Sequence, residues 1–163
     1  MSTSAKYPDC VIPDPMAVEP RIGTGYPEPF RSACLKREKR PLGDAVGLKN
    51  FGVNLTILPP GQWSSQRHWH GKQDELVYIL EGEVTLVTDA GETLLTAGMA
   101  AGFRAGDPDG HHLINKSDKP VTYLEIGDRL PGDTADYPDI DLMINDTWPD
   151  GRYRFRHKNG DPY

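Results

Sequence analysis

The chain has few cysteines, no long apolar run and no excess of positive charge, and each absence excludes a class of protein. Its two cysteines, Cys10 and Cys34, do not form a CxxC pair, so we expect reduced structural thiols, with a disulfide between them as the alternative. No apolar stretch approaches the length of a membrane span, and the first residues lack the apolar segment of a signal peptide, which favours a cytoplasmic location. The net charge of −6 argues against nucleic acid or an anionic membrane as the main partner.

The length of 163 residues predicts one domain, which composition divides into three zones. Residues 1–46 hold seven prolines and no sustained helical period, which predicts an extended arm that lies on the central zone or on a partner subunit. Residues 129–163 are polar and rich in turns, and they predict a tail in which residues 141–144 pair with residues 153–156 around a turn at 148–151. Because a long segment flanks the centre at each end, we expect a homodimer.

The central zone, residues 47–128, is a succession of short strand-like runs separated by turn residues. Phe51, Val53, Leu55 and Ile57 alternate with smaller or polar residues, and a turn at 89–92 joins two further apolar runs into a hairpin. Short strands at this spacing, with glycine and proline between them, indicate an all-β sandwich or barrel.

Four of the five histidines fall in two tight groups within this zone. His68 and His70 are two residues apart, so on a strand their side chains point to the same side. Glu75 follows a short polar turn and can return beside them on the next strand, and His111 or His112 can supply a fourth ligand. Imidazole and carboxylate groups that converge in this way predict a site for a divalent metal ion.

These residues resemble the two motifs of the cupins, which are small barrels of the jelly-roll type. The first motif is matched with six residues between its first glycine and first histidine, where five are usual, and the second lacks the usual two-residue gap before its histidine. The matching residues are Gly61, His68, His70, Glu75 and Gly82 in the first motif, and Gly102, Pro108, Gly110, His111 and Asn115 in the second. The resemblance covers residues 50–127 and implies a double-stranded β-helix (jelly-roll) barrel, with the arm and the tail outside it.

His111 and His112 are rival candidates for the fourth ligand. If His111 faces inward, Leu113 and Asn115 share its side, which agrees with the family pattern, and His112 then faces away. We therefore expect His111 to be the ligand, with His112 as the alternative.

A metal held by three imidazoles and one carboxylate keeps open positions for a substrate, water or dioxygen, and the ligand set suits Fe(II), Mn(II), Ni(II), Co(II) or Zn(II). The resemblance implies an enzyme that acts on a small polar molecule, first of all a sugar or sugar-phosphate isomerase. An Fe(II)-dependent dioxygenase uses the same four ligands, and a non-catalytic cupin that binds a small molecule is the third alternative.

An isomerase also needs a cation for the phosphate and a group that transfers protons. Arg104, in the loop of the second motif, is the candidate cation, and Lys72 is more simply a surface charge. Glu125 and Tyr123 share one face of the last barrel strand and are the candidates for proton transfer, although alternation alone does not decide whether that face is the inner one.

Overall fold

The computed structural model describes residue 7, residues 10–147 and residues 153–163. Within these ranges the chain is almost entirely β, with one four-residue α-helix, α1 (Leu42–Ala45), and two short 3-10 turns at Pro15–Ala17 and Ser32–Cys34. The described strands are β1 (Arg21–Ile22), β2 (Glu38–Pro41), β3 (Phe51–Leu58), β4 (Trp69–His70), β5 (Glu75–Glu81), β6 (Glu83–Thr88), β7 (Gly91–Thr96), β8 (Ala100–Phe103), β9 (His112–Ile114), β10 (Val121–Asp128), β11 (Ala135–Tyr137), β12 (Leu142–Thr147) and β13 (Tyr153–Arg156).

Two antiparallel sheets enclose the main core. The larger sheet has the strand order β1-β2-β3-β10-β5-β8, and the smaller one has the order β7-β6-β9. Alternating apolar residues of both sheets, among them Leu58, Ile79, Val84, Leu113 and Val121, are almost fully buried between them. This arrangement confirms the predicted all-β jelly-roll barrel.

The N-terminal zone contributes two strands to the barrel instead of only lying on it. β2 pairs with β3, and Lys39 stands opposite Thr56 in the register. Its sequence, Glu-Lys-Arg-Pro, has no apolar alternation, so the period of a strand is absent from the sequence. The alternation of side chains nevertheless holds, and it turns Lys39 towards the interior of the barrel.

The C-terminal zone forms a further sheet, with the order β13-β12-β11-β4. Met143 stands opposite Arg156 and Ile144 opposite Phe155, as the predicted pairing of residues 141–144 with 153–156 requires. The predicted turn at 148–151 lies outside the described residues. A second core joins this sheet to the N-terminal zone, and it contains Tyr26, Cys34, Ala135, Tyr137, Leu142 and Ile144.

The described part of the chain has no helix long and apolar enough to cross a membrane.

Candidate metal centre and adjoining cavity

Three neighbouring backbone segments bring four polar side chains to one point. The segments around His68 and His111 form an antiparallel bridge, with each backbone N–H donating to the carbonyl oxygen of the other residue at 3.2 and 2.9 Å. His70 lies two residues beyond His68 on β4, and Glu75 opens β5 after the turn. The i, i+2 spacing of the histidines therefore puts both rings on one side, where Glu75 and His111 meet them.

The Oε2 atom of Glu75 is the centre of this cluster. It lies 2.9 Å from Nε2 of His111, 3.7 Å from Nε2 of His70 and 4.0 Å from Nε2 of His68. Potential ligand atoms of His68, His70 and Glu75 all lie within 4.8 Å of one another. These three residues are among the four ligands predicted from the sequence, and their nitrogen and oxygen atoms could hold a divalent metal ion. His111, the fourth predicted ligand, lies against Glu75.

The histidine rings are oriented by contacts on the sides that face away from Glu75. His68 Nδ1 lies 2.9 Å from the carbonyl oxygen of Gln66, and His70 Nδ1 lies 2.5 Å from Oδ2 of Asp133. An acceptor at Nδ1 keeps the proton on that nitrogen and leaves the Nε2 lone pair free to bind a metal. The ring of His111 is held differently, because it stacks on Phe103 at a centroid distance of 3.5 Å.

The electrostatics of the cluster also suit a cation. Burial, together with the neighbouring histidines, lowers the pKa of His68 to about 3, although Glu75 opposes the shift, so this ring is neutral near pH 7. Burial alone would raise the pKa of Glu75, but the hydrogen bond with His111 and the adjacent imidazoles outweigh it and hold this pKa well below its usual range. A neutral His68 ring beside an ionised Glu75 carboxylate has the protonation states that metal binding needs.

His112 lies on the other side of its strand, away from Glu75. It is buried, its Nδ1 atom is 3.0 Å from the carbonyl oxygen of Ser65, and the ring meets Trp63 edge to face at 4.8 Å. His111 and Leu113 share the inner face, as the argument from alternation expects. The structure therefore brings His111 into the cluster and leaves His112 outside it.

A cavity of about 600 Å³ adjoins the cluster. Tyr123 and Glu125 both line it, so the inner face of β10 is the one that carries them. Glu125 Oε1 lies 2.5 Å from Nζ of Lys39, and these side chains are 20% and 24% exposed. The Tyr123 hydroxyl is buried and has no hydrogen bond of normal geometry within the described ranges.

Arg104 lies apart from this cavity. Its side chain is 87% exposed and pairs with Asp107 at 3.0 Å. It lines a second cavity, of about 400 Å³, whose lining also includes His70, Glu75 and His111. Alternation could not place this residue in advance, because Arg104 follows the end of β8, where the period of a strand no longer applies.

Sequence reasoning missed the cations that do line the larger cavity, namely Arg21, Arg37 and Lys39. All three come from the N-terminal zone, where no motif or apolar period singles them out. Burial lowers the pKa of Lys39, and the charge of Glu125 opposes that shift. Asp133, the hydrogen-bond partner of His70, was also missed, because it lies in a polar stretch of the tail that has no pattern of its own.

Comparisons with known proteins agree with this geometry. Residues 54–127 match the family model described as a cupin domain. The crystal structure of a sugar phosphate isomerase of a cupin superfamily from Silicibacter pomeroyi is 45% identical, with a TM-score of 0.86, over 92% of this chain and 94% of that chain. A putative sugar phosphate isomerase from Acidithiobacillus ferrooxidans is 29% identical, with a TM-score of 0.70, over 78% of this chain and 80% of that one.

The polyketide cyclase RemF from Streptomyces resistomycificus shares the fold, at 20% identity and a TM-score of 0.57 over 71% of this chain and 76% of that chain. Comparison with curated protein sequences gives no significant match. The 45% identity to a cupin over nearly the whole chain, together with the barrel and the His/Glu cluster, shows that the protein belongs to the cupin superfamily.

Proposed function

We propose that the protein is a metal-dependent isomerase of a sugar or sugar phosphate. The observation that carries the proposal is the 45% identity, over 92% of the chain, to a structure described as a sugar phosphate isomerase. This similarity extends beyond the barrel into the zones that supply Lys39 and Asp133, so it includes the surroundings of the cluster as well as the cluster itself.

His68, His70, Glu75 and His111 are the proposed ligands of one divalent metal ion. The fit rests on the three Nε2 atoms that face one carboxylate oxygen, and on the acceptors that orient two of the rings. A bound divalent ion would polarise a carbonyl group of the substrate. The donor set is compatible with Fe, Mn, Ni, Co or Zn.

Glu125 is the proposed base of the isomerisation. Its carboxylate takes a proton from the hydroxyl-bearing carbon beside the substrate carbonyl and returns it to the carbonyl carbon. The proton of that hydroxyl group is transferred to the former carbonyl oxygen, so the product is an isomer of the substrate and nothing else is consumed. The ammonium group of Lys39 balances its charge at 2.5 Å. The buried hydroxyl of Tyr123, which lies near Thr56, is a suitable donor to a substrate oxygen.

The charges around the cavity favour an anionic substrate. Three cations, Arg21, Arg37 and Lys39, face two carboxylates, Glu75 and Glu125, in a chain whose overall charge is −6. Arg21 pairs with a carboxylate outside the cavity, and Lys39 pairs with Glu125. Arg37 has no ion pair in the described part of the chain and donates instead to the carbonyl oxygens of Ser64 and Gly23.

Arg37 is therefore the better candidate for the cation that attracts a phosphate group. Arg104, the residue expected for this role from its sequence position, is exposed, paired with Asp107 and lies on the second cavity. A buried or half-buried cation attracts an anion more strongly than an exposed one, since water screens it less.

The Fe(II)-dependent dioxygenase is the second candidate, and the second cavity favours it. This cavity is lined by three of the four proposed ligands, and apart from these and Phe103 its lining residues differ from those of the larger cavity. A small second reactant such as dioxygen would thus have its own route to the cluster.

The test begins with elemental analysis of the purified protein and reconstitution with each candidate metal. Aldose and ketose phosphates are then incubated with the protein in D₂O, and deuterium at the carbon next to the carbonyl is followed by NMR. We expect exchange and isomerisation in the wild type and their loss in Glu125→Gln, with phosphorylated sugars preferred over the free sugars. Oxygen uptake that depends on iron and substrate, without exchange, would instead indicate the dioxygenase.

Ligand binding without exchange or oxygen uptake would indicate a non-catalytic binding protein. The homodimer and the cytoplasmic location remain predictions.

A further inference from the structure

We infer that Asp133, in the C-terminal zone, is a positioning residue for the metal ligand His70. The inference rests on the metal binding of the proposed function, but not on the reaction or the substrate. Asp133 lies outside residues 54–127, which match the cupin domain, so the matched domain contains the ligand but not the group that orients it.

Both carboxylate oxygens of Asp133 are engaged. Oδ2 accepts from Nδ1 of His70 at 2.5 Å, and Oδ1 accepts from the backbone N–H of Lys72 at 2.8 Å. The side chains of Asp133 and His70 are only 9% and 11% exposed, so water competes little for these bonds. Two bonds to one carboxylate fix its plane, and the plane in turn fixes the direction of the imidazole ring.

The backbone sets the position of Asp133 as well. The N–H of Gly71 donates to the carbonyl oxygen of Thr134 at 2.9 Å, and Ala135 stands opposite His70 in the β11/β4 register. A Cβ atom at Gly71 would overlap Oγ1 of Thr134, so a larger residue there would require the Thr134 hydroxyl to move. Residues 133–135 are thus tied to residues 70–72 on both sides of the ligand.

The consequence is a defined tautomer for His70. Because Oδ2 of Asp133 accepts the hydrogen bond from Nδ1, a proton is held on Nδ1, while Nε2 faces Glu75 at 3.7 Å. Without Asp133 the ring can rotate or carry its proton on Nε2, and either change removes a metal ligand. Loss of such a partner typically weakens metal affinity by roughly 10- to 100-fold.

The experiment compares Asp133→Ala and Asp133→Asn with wild type, using Asp136→Asn as the matched control. Asp136 lies on β11 and faces Lys158 at 3.7 Å, with a 38% exposed side chain. The affinity for Zn(II) and Mn(II) is measured by competition with a chromophoric chelator, and ¹⁵N NMR reports the tautomer of His70 in the metal-free protein.

We expect Asp133→Ala to bind metal at least tenfold more weakly and to lose the Nδ1–H signature of His70. Asp133→Asn should fall between it and wild type, because an amide oxygen still accepts a hydrogen bond, and Asp136→Asn should stay within twofold. If Asp133→Ala does not fold, Asp133→Asn tests the inference, and we expect its metal affinity to be at least threefold weaker than that of wild type.

Wild-type affinity and tautomer in the folded Asp133 variants would overturn the inference and leave the metal site intact. An equal loss of metal affinity in Asp136→Asn would also overturn the inference, because removing any carboxylate near β11 would then weaken metal binding. A wild type that binds neither metal would overturn the proposed metal centre itself, and Asp133 would then have no ligand to position.

Discussion

The ion pair of Lys39 and Glu125 allows stability and function to be separated in one experiment. The side chains are 24% and 20% exposed, and their charged atoms are 2.5 Å apart. Removing one partner of a fully buried pair costs about 3–5 kcal/mol, and partial exposure reduces that cost. We therefore expect Lys39→Met to lower the free energy of unfolding by about 2–3 kcal/mol, because it leaves a carboxylate unpaired.

Glu125→Leu should cost less, about 1–2 kcal/mol, because burial already lowers the pKa of Lys39 and the amine can give up its proton. The double variant replaces the whole pair by apolar side chains and should lie within ~1 kcal/mol of wild type. The expected coupling energy is thus at least ~2 kcal/mol. Urea unfolding of the four proteins, followed by circular dichroism, measures it.

The double variant should also be inactive in the exchange assay, although it is folded. Glu38→Gln is the control, since Glu38 pairs with Arg40 at 2.9 Å on the same strand and neither residue lines the larger cavity. It should keep its activity. Single effects that add within ~0.5 kcal/mol would refute the coupling, and a fully active double variant would refute the role of the pair in the reaction.

Three further predictions concern the ligands, a turn and pH. His111→Ala should lower metal affinity at least ~10-fold. His112→Ala should keep the metal but lose about 1–3 kcal/mol of stability, because it removes a buried hydrogen bond. Metal retained by His111→Ala would contradict the assignment of His111 as the fourth ligand. Gly82→Ala should lower the melting temperature more than Gly98→Ala. Both glycines have a positive φ, at +82° and +89°, but only at Gly82 would a Cβ atom also lie 2.9 Å from a carbonyl oxygen. Equal losses would show that the turn at Gly82 relaxes. In the metal-free protein the pKa of His68 is lowered to about 3, so as the pH falls the unfolded chain takes up this proton before the folded protein does. The free energy of unfolding should therefore decrease between about pH 6.5 and pH 3, by up to about 1.4 kcal/mol per pH unit. A flat profile in urea unfolding would contradict this.

The barrel and the four clustered residues could be predicted because their chemistry imposes a spacing. Ligands two residues apart on a strand face the same side, and the same parity places His111 on one face with Leu113 and Asn115. The same alternation put the side chains of Tyr123 and Glu125 on one face of their strand, but it could not show whether that face points into the barrel. Only the closure of the barrel against β3 and β5 decides that.

The residues that sequence reasoning missed lie where no such constraint acts. Lys39 sits on a strand with no apolar residue to mark its period, and Asp133 meets His70 across 63 positions of the chain. Their positions depend on long-range pairing of β2 with β3 and of β11 with β4. A single sequence carries no local signal for either pairing, because β2 has no hydrophobic pattern of its own and β4 and β11 are only two and three residues long.

The two halves of the site therefore have different origins in the chain. The proposed metal ligands come from the region that matches the cupin domain, residues 54–127, whereas Arg37, Lys39 and Asp133 come from the flanking zones. A relative that shares only the barrel can keep the ligands, Tyr123 and Glu125 and still differ in the cations of the N-terminal zone that line its cavity. The 45% identical isomerase structure covers 92% of the chain, and for this reason it bears more directly on the proposed substrate than barrels that share the fold at 20% identity. Exchange of the N-terminal zone between such barrels should accordingly change the substrate while the metal stays bound.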